Sequence, residues 1–268
     1  MDIVVKYDTG CNWGCKYCHD EHAREKGYKP ITTDTEFIDW VNTQLLWYTK
    51  QVGEGVTMGF MGGEPGVWST EVIDTVLSFI EKYKYPTYIY TNGLILKDPS
   101  LVDRMKDILN LRVKWHIATH MNGKEIPKPE WYDLFGAKRI APVIVTHLGN
   151  LDGAYTSLRD TPWISNVTVK PILDPTVSYT MLDYVHYKAV CELPCVEPIY
   201  RQIADVIISQ EHKGKHAACT NRKNSMLIDF GRFNLETCYW NGEPLELNRT
   251  NWILLTQKGI AGVRQNLP

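Results

Sequence analysis

The stretch TGCNWGCKYCHDEH, residues 9–22, is the part of the sequence that decides the predicted fold. It places Cys11, Cys15 and Cys18 in one short segment just after an apolar run, and His19 follows the third cysteine. Cysteines at such spacing can hold zinc, attach a haem, form disulfides or carry an iron–sulfur cluster. The choice among these four kinds of site depends on the rest of the chain.

The composition limits which cellular compartment and which class of protein are consistent with the sequence. The chain has 268 residues, of which 44% are hydrophobic and 22% charged, which is typical of a globular protein with one large domain or a domain plus an appendage. The start MDIVVKYD does not resemble a signal peptide, and the apolar runs are too short to cross a bilayer. We therefore expect a cytoplasmic protein without a membrane partner, in which seven cysteines favour metal or redox chemistry over disulfides.

The chemistry of the first cysteine set is compatible with three kinds of metal site. CKYCH, residues 15–19, matches the c-type haem attachment pattern, but that attachment belongs to exported proteins and leaves Cys11 unexplained. Three cysteines with His19 could hold zinc, although structural zinc sites usually combine two separated pairs of ligands. A cubane iron–sulfur cluster held by three cysteines would keep one iron without a protein ligand.

Strand and helix patterns alternate over the first 173 residues. Ser69 is expected to cap a helix, Pro99 lies in the first turn of another, and Thr33 with Glu36 forms a capping box for an earlier one. The predicted strands lie near residues 3–7, 56–60, 87–91, 112–120, 139–148 and 166–173. This alternation predicts parallel strands joined by crossover helices. The loops after the strands contain the cysteines, MGGEP, YTNG and ATH, and we expect them to converge at one mouth.

Three of these loops resemble the radical S-adenosylmethionine (SAM) superfamily. CNWGCKYC, residues 11–18, matches its CxxxCxxC signature; GGEP, residues 62–65, resembles its second signature; and YTNG, residues 90–93, resembles a sequence common after its third strand. The resemblance implies an α/β fold, with a partial (β/α)6 barrel over residues 1–178. Residues 179–268 would form a small cysteine-containing C-terminal extension.

The resemblance also implies the cofactors. Cys11, Cys15 and Cys18 would bind three irons of a 4Fe–4S cluster, and SAM would chelate the fourth. The reduced cluster would cleave SAM to methionine and a 5′-deoxyadenosyl radical, which abstracts hydrogen from an unreactive carbon. An electron donor such as flavodoxin or ferredoxin is implied as a partner. No catalytic residue is assigned, while Trp115, His116 and His147 are candidates for the wall of the substrate pocket, although Trp115 is more typical of a core aromatic residue.

The expected SAM contacts follow the same loops. The aromatic residue before the last cysteine would lie near adenine, and the glycine pair would let the backbone approach the methionine end of SAM. The glutamate would add a favourable negative charge for the methionine ammonium. A polar residue after strand four would contact the ribose, and the asparagine would serve the turn, the ligand or both. These residues are Tyr17, Gly62, Gly63, Glu64, Asn92, Thr119 and His120.

The other four cysteines form a second predicted metal site. Residues 219–238, CTNRKNSMLIDFGRFNLETC, resemble the hairpin of auxiliary-cluster extensions called SPASM or twitch domains, although no cysteine follows Cys238. Cys191 and Cys195 would therefore join Cys219 and Cys238 as ligands of a second 4Fe–4S cluster. Zinc on these four thiolates is one alternative, and ordinary buried cysteines are another.

The leading hypothesis is a radical SAM enzyme of the oxidoreductase or isomerase and lyase type, acting on a small molecule, a nucleoside or a modified nucleic-acid base. A peptide-modifying maturase is the alternative, with the reservation that a first strand at residue 3 leaves no place for a leader-binding domain. A glycyl-radical activating enzyme fits less well because of the four extra cysteines. From another class, a zinc-stabilised nucleic-acid-binding module could use a basic loop, although such a loop is more typical of a solvated surface. The basic residues are Lys213, Lys215, Arg222 and Lys223.

Overall fold

The structure is a computed structural model in which two compact units are distinguished. One consists of Met1–Leu111 and Thr220–Pro268, and the other of Arg112–Cys219. The predicted boundary between residues 178 and 179 lies outside the described residues and stays a prediction. The described residues are 2–6, 10–13, 43, 46, 50, 57–117, 128–136, 138–146, 151–171, 181–202, 204–205, 225–229, 234–236 and 245–246.

Strands and helices alternate along the described chain as the sequence predicted. The strands are β1 (Asp2–Lys6), β2 (Thr57–Met61), β3 (Thr87–Thr91), β4 (Leu111–Ile117), β5 (Ile140–Thr146), β6 (Thr168–Pro171), β7 (Ser225–Asp229), β8 (Asn234–Glu236) and β9 (Leu245–Glu246). The helices are α1 (Thr70–Tyr83), α2 (Pro99–Asp107), α3 (Pro129–Phe135), α4 (Leu151–Arg159) and α5 (Met181–Cys191). Short 3₁₀ helices, Pro65–Val67 and Leu94–Lys97, follow β2 and β3. The predicted α/β class is confirmed.

The sheet of the first unit has the strand order β3-β2-β1-β7-β8-β9. Strands β1, β2 and β3 are parallel, as expected for strands joined by crossovers. The predicted C-terminal hairpin is present, since β7 and β8 pair antiparallel with Ile228 opposite Leu235. Strand β7 also pairs parallel to β1, which places Asp229 in register with Lys6. The C-terminal hairpin therefore extends the sheet beside the strand that leads into the cysteine loop.

Helix α1 shows how local sequence and packing agree. The Ser69 hydroxyl caps the helix by accepting from the Val72 backbone N–H at 3.4 Å. The apolar face of the helix then packs on the sheet, with Phe79 edge-to-face against Phe60 at a centroid distance of 6.2 Å. Val76 on the same face is 1% exposed. Burial of this face is the main stabilisation of the helix.

Helix α2 begins where the sequence predicted. Asp98 is its N-cap, with Oδ1 accepting from the backbone N–H groups of Ser100 and Leu101, and Pro99 occupies the first turn. Arg104 joins α2 to α1 because its guanidinium donates to Glu81 at 2.8 Å. An exposed ion pair of this kind contributes little to stability, so its main effect is to fix the position of α2 beside α1.

The second unit contains the parallel strands β4, β5 and β6. Strand β4 alternates strictly, since Val113 and Trp115 are buried whereas Lys114 and His116 on the opposite face are partly exposed. The ring of Trp115 packs edge-to-face on Trp131 of α3 at 5.6 Å. A buried apolar cluster joins the strands to α4 and α5 and consists of Ile144, Ala154, Leu158, Ile164, Val167, Val169, Tyr187, Val190, Cys191, Val196 and Ala204.

Two further segments are helical at the positions that the structure describes. Of the first predicted helix, Thr43, Leu46 and Lys50 are described, and all three are helical. The region 199–210 is helical at its described positions, residues 199–202 and 204–205. None of the described helices combines the length and the apolar character that a membrane span requires.

Replacing Ser69 by Ala should lower the free energy of unfolding by about 1 kcal/mol, because the cap of α1 is lost. Urea unfolding followed by circular dichroism measures this change. Thr75→Ala in the same helix is the matched control: the Thr75 hydroxyl donates to the Glu71 carbonyl at 2.8 Å, a bond that adds no cap. Equal losses in the two variants would contradict the capping role.

Candidate cofactor site

The loops that follow β1, β2 and β3 meet at the carboxyl ends of these parallel strands. The backbone N–H of Glu64, after β2, donates to the carbonyl of Gly10, before the first cysteine, at 2.7 Å. The side chain of Asn92, after β3, donates through Nδ2 to Oδ1 of Asn12 at 2.8 Å. The cysteine loop is therefore joined to both neighbouring loops, in the place where parallel α/β folds build their sites.

The glycine pair after β2 permits this close approach. Gly62 and Gly63 both have positive φ angles, 115° and 52°, which glycine adopts without a steric penalty. A Cβ on Gly63 would overlap the backbone of Gly10. The Trp68 indole donates to the Gly62 carbonyl at 3.0 Å and holds the turn from the other side. The loop thus presents bare backbone beside the cysteine loop.

The carboxylate of Glu64 is buried at the centre of the three loops and is 1% exposed. Its Oε1 accepts from the Thr91 hydroxyl at 2.5 Å and from the Ile95 backbone N–H at 3.3 Å, and its Oε2 accepts from the Asn92 backbone N–H at 2.5 Å. The Gly66 backbone N–H also donates to Oε1, at 3.1 Å. Burial raises the pKa of Glu64 above its ordinary value, and these hydrogen bonds oppose that shift.

Cys11 is partly buried and carries two donors near its sulfur. The Trp13 backbone N–H donates to Sγ at 3.3 Å, and Nδ2 of Asn92 lies 3.8 Å from the same atom. Donors of this kind stabilise a thiolate and tune iron–sulfur clusters. Cys11 therefore fits the role of a cluster ligand. Among the residues that the structure describes, no group of three or more His, Cys, Asp or Glu side chains is assembled for a metal ion.

The structure brings together five of the residues that the sequence predicted for this site: Cys11, Gly62, Gly63, Glu64 and Asn92. The remaining predicted residues of the first site lie outside the described residues. Two predicted ligands of the second metal site and one candidate for the pocket wall also lie outside them. Together these residues are Cys15, Tyr17, Cys18, Thr119, His120, His147, Cys219 and Cys238. Their roles stay predictions.

Two cysteines of the second predicted site are described in the second unit. Cys191 ends α5 with its thiol buried in the apolar cluster, and Cys195 packs against that cluster after a short turn. Burial raises the pKa of the Cys191 thiol to about 12, an effect that favours the neutral thiol. The Cys195 carbonyl accepts from the Val167 backbone N–H at 2.9 Å, which ties the turn to the chain just before β6. Both thiols are free of disulfides.

Three residues of the first site were missed by sequence reasoning. Gly10 accepts the backbone hydrogen bond from the second loop, Asn12 accepts from Asn92, and Thr91 donates to Glu64. Gly10 and Asn12 flank the first cysteine, and Thr91 precedes the asparagine of YTNG. Each of these residues thus lies next to a motif residue, but only the contacts between the loops show that it belongs to the site.

Solved structures of anSMEcpe resemble the whole chain. Hexahistidine-tagged anSMEcpe with bound AdoMet, which is SAM, has a TM-score of 0.61 at 16% identity, covering 98% of this chain and 82% of that one. Native anSMEcpe with bound AdoMet and Cp18Cys peptide has a TM-score of 0.57 at 16% identity, covering 90% and 74%. The chain has the partial-barrel fold of radical SAM enzymes.

Comparison of the amino-acid sequence alone finds no match. No family model matches the chain, and no curated protein matches it in sequence. Native anSMEcpe with bound AdoMet, at a TM-score of 0.59 and 14% identity, covers 100% of this chain and 84% of its own. At such low identity, the comparison shows a shared fold and no shared function.

Gly63→Ala should disrupt the contact between the second loop and the cysteine loop, because the new Cβ would overlap the Gly10 backbone. Gly136→Ala is the matched control, since φ is also positive there (85°) but a Cβ would meet none of the described atoms within 4 Å. The control should lose about 1–3 kcal/mol of unfolding free energy through backbone strain alone. Gly63→Ala should lose at least about 2 kcal/mol more. Equal losses in urea unfolding would contradict the steric argument.

Proposed function

We propose that the protein is a radical SAM enzyme that binds a 4Fe–4S cluster through Cys11, Cys15 and Cys18. The observation that carries the proposal is the junction of three loops. Cys11 lies against the Asn92 amide, and Glu64 hydrogen-bonds to the cysteine loop through its backbone and to the turn after β3 through its carboxylate. The partial-barrel fold supports it, since the similar anSMEcpe structures contain AdoMet. The same observations argue against a zinc-stabilised nucleic-acid-binding module.

The residues of this chain have separate tasks in the proposed reaction. The cluster, when bound, supplies the electron that cleaves SAM to methionine and a 5′-deoxyadenosyl radical. Gly62 and Gly63 are proposed to offer backbone groups to the methionine end of SAM, because their positive φ angles suit glycine and no side chain blocks a close approach there. Tyr17, Thr119 and His120 are proposed to contact adenine and ribose. A cytoplasmic flavodoxin or ferredoxin is proposed as the electron donor.

We propose a small molecule, a nucleoside or a modified nucleic-acid base as the substrate, with an oxidation or an isomerisation as the reaction. Strand β4 supports a polar substrate, because the face opposite its buried residues carries Lys114 and His116 toward the carboxyl end of the strand. His116 is the one nearest the carboxyl end of the strand, where α/β folds place their chemistry. A peptide substrate is the second candidate, and its support is the anSMEcpe structure with a bound peptide.

For the second metal site, we propose that Cys191 and Cys195 are two of four ligands to a second 4Fe–4S cluster. Their support is proximity in the chain and a shared apolar environment, which keeps water from a cluster and influences its potential. The buried neutral thiol of Cys191 equally suits an ordinary core cysteine, and four thiolates also suit zinc. Metal analysis separates the three cases.

Anaerobically reconstituted protein should be brown and should cleave SAM to 5′-deoxyadenosine in the presence of dithionite. Cys11→Ala should abolish cleavage because one iron loses its ligand. Cys195→Ala is the matched control and should keep cleavage of SAM. Liquid chromatography of 5′-deoxyadenosine checks both variants. A colourless wild-type protein without cleavage would refute the proposed function.

Iron analysis of the same preparations tests the second site. The wild-type protein should contain about eight irons if both sites are cubanes, and Cys195→Ala about four. About four irons with one zinc in the wild type would show a zinc site instead. About four irons and no zinc in both proteins would show that Cys191 and Cys195 are ordinary cysteines.

His116→Ala should lower hydrogen abstraction from substrate by about tenfold or more, because the substrate would lose a positioning contact. Enzyme and SAM are incubated with extract of cells grown in deuterated medium, and deuterium in 5′-deoxyadenosine is measured by mass spectrometry. Arg112→Ala, on the same face near the start of β4, is the control and should behave as wild type. Deuterium incorporation unaffected by His116→Ala would exclude this face as a substrate contact.

A further inference from the structure

We propose that Glu64 is the positioning residue of the cofactor site. Its carboxylate would hold the turn after β3 in the one conformation that directs the Asn92 amide at the cysteine loop. The inference rests on the proposed function, since the loop so positioned is the one proposed to hold the cluster. It differs from the role expected from the sequence, a charge contact with the methionine ammonium of SAM.

The turn after β3 depends on acceptors from side chains. The backbone N–H groups of Asn92 and Ile95 donate to Glu64, at 2.5 Å and 3.3 Å. The N–H of Gly93 between them donates to the Thr91 hydroxyl oxygen at 2.9 Å, and that hydroxyl donates to Glu64. The carboxylate therefore organises the turn both directly and through Thr91, with acceptors where a buried turn needs them.

The organised turn sets the orientation of the Asn92 side chain. Its Oδ1 accepts from the Leu94 backbone N–H at 3.1 Å, so the amide nitrogen must point the opposite way. On that side lie Oδ1 of Asn12 at 2.8 Å and Sγ of Cys11 at 3.8 Å. The amide is thus directed to donate toward a proposed cluster ligand, and donors to ligand sulfurs raise the reduction potential of a cluster.

Glu64 also contacts the cysteine loop through its own backbone. Its N–H donates to the Gly10 carbonyl at 2.7 Å, one residue before Cys11. One residue therefore spans the two loops, with the backbone bound to the first and the carboxylate bound to the third. A change in the carboxylate would shift the turn relative to Cys11 while the backbone contact stays.

The acceptor capacity of the carboxylate matters because four donors converge on its two oxygens. Thr91, Gly66 and Ile95 donate to Oε1, and Asn92 donates to Oε2. A carboxylate accepts all four, whereas the amide of glutamine places donor hydrogens at one of the two positions. Glu64→Gln keeps the size of the side chain and leaves at least one buried N–H without an acceptor. The substitution therefore separates acceptor capacity from packing.

The test compares Glu64→Gln and Asn92→Ala in reconstituted protein, with Glu71→Gln on the exposed start of α1 as the matched control. The midpoint potential and the electron paramagnetic resonance spectrum of the cluster are measured before SAM is added. Both site variants should show a lower potential and an altered spectrum, and Glu71→Gln should match wild type. The kcat for 5′-deoxyadenosine formation should fall about tenfold or more in Glu64→Gln, with little change in the KM for SAM.

The role as an ammonium contact predicts the reverse pattern. In that case Glu64→Gln would raise the KM for SAM and leave the SAM-free cluster unchanged. A wild-type potential and spectrum in Glu64→Gln, whatever the KM, would overturn the positioning role.

A second measurement needs no cluster and keeps the two proposals distinguishable. In the apo protein, a double-mutant cycle of Glu64→Gln and Asn92→Ala reports the coupling of the two residues in urea unfolding. If Glu64 positions Asn92, the loss in the double variant should be clearly smaller than the sum of the single losses. Additive losses would refute the positioning role. A wild-type protein that binds no iron would refute the proposed function alone.

Discussion

The hydrogen bond from the Glu64 backbone N–H to the Gly10 carbonyl is the contact on which the site depends. At 2.7 Å it brings the loop after β2 against the cysteine loop, and the absence of a side chain at Gly63 makes that distance possible. The Glu64 carboxylate can then be enclosed, because its four donors replace the water it loses. The contact between Asn92 and Cys11 then adds a junction between the cysteine loop and the turn after β3.

Much of the fold could be predicted from local signals in the sequence. Ser69 caps the helix that follows it, Pro99 lies in the first turn of the next helix, and the predicted strand segments agree with the described strands to within a few residues. Helix α3 has only seven residues, too few to give a clear periodic pattern in the sequence. The pairing of β7 with β1 could not be predicted, since it joins residues more than two hundred positions apart and leaves no mark in either segment.

The site was predictable as a set of motifs but not as a network. Glycine at positions 62 and 63 indicates that the backbone there lies close to another group. The structure shows that the backbone of Gly10 is one such group. A sequence places Glu64 near a ligand by resemblance, yet it cannot show that the carboxylate faces Thr91 and Asn92. The distribution of hydrogen bonds among loops depends on tertiary contacts, which no local pattern encodes.

The pairing of β7 with β1 has a consequence for the order in which the chain can fold. Strand β1 leads directly into the cysteine loop, and one side of it pairs with β2 while the other pairs with β7. During synthesis, β1 remains an edge strand until residues 225–229 have left the ribosome. The strand that leads into the cysteine loop therefore gains its second neighbour only after more than two hundred further residues have been translated, and completion of the sheet beside the site waits for them.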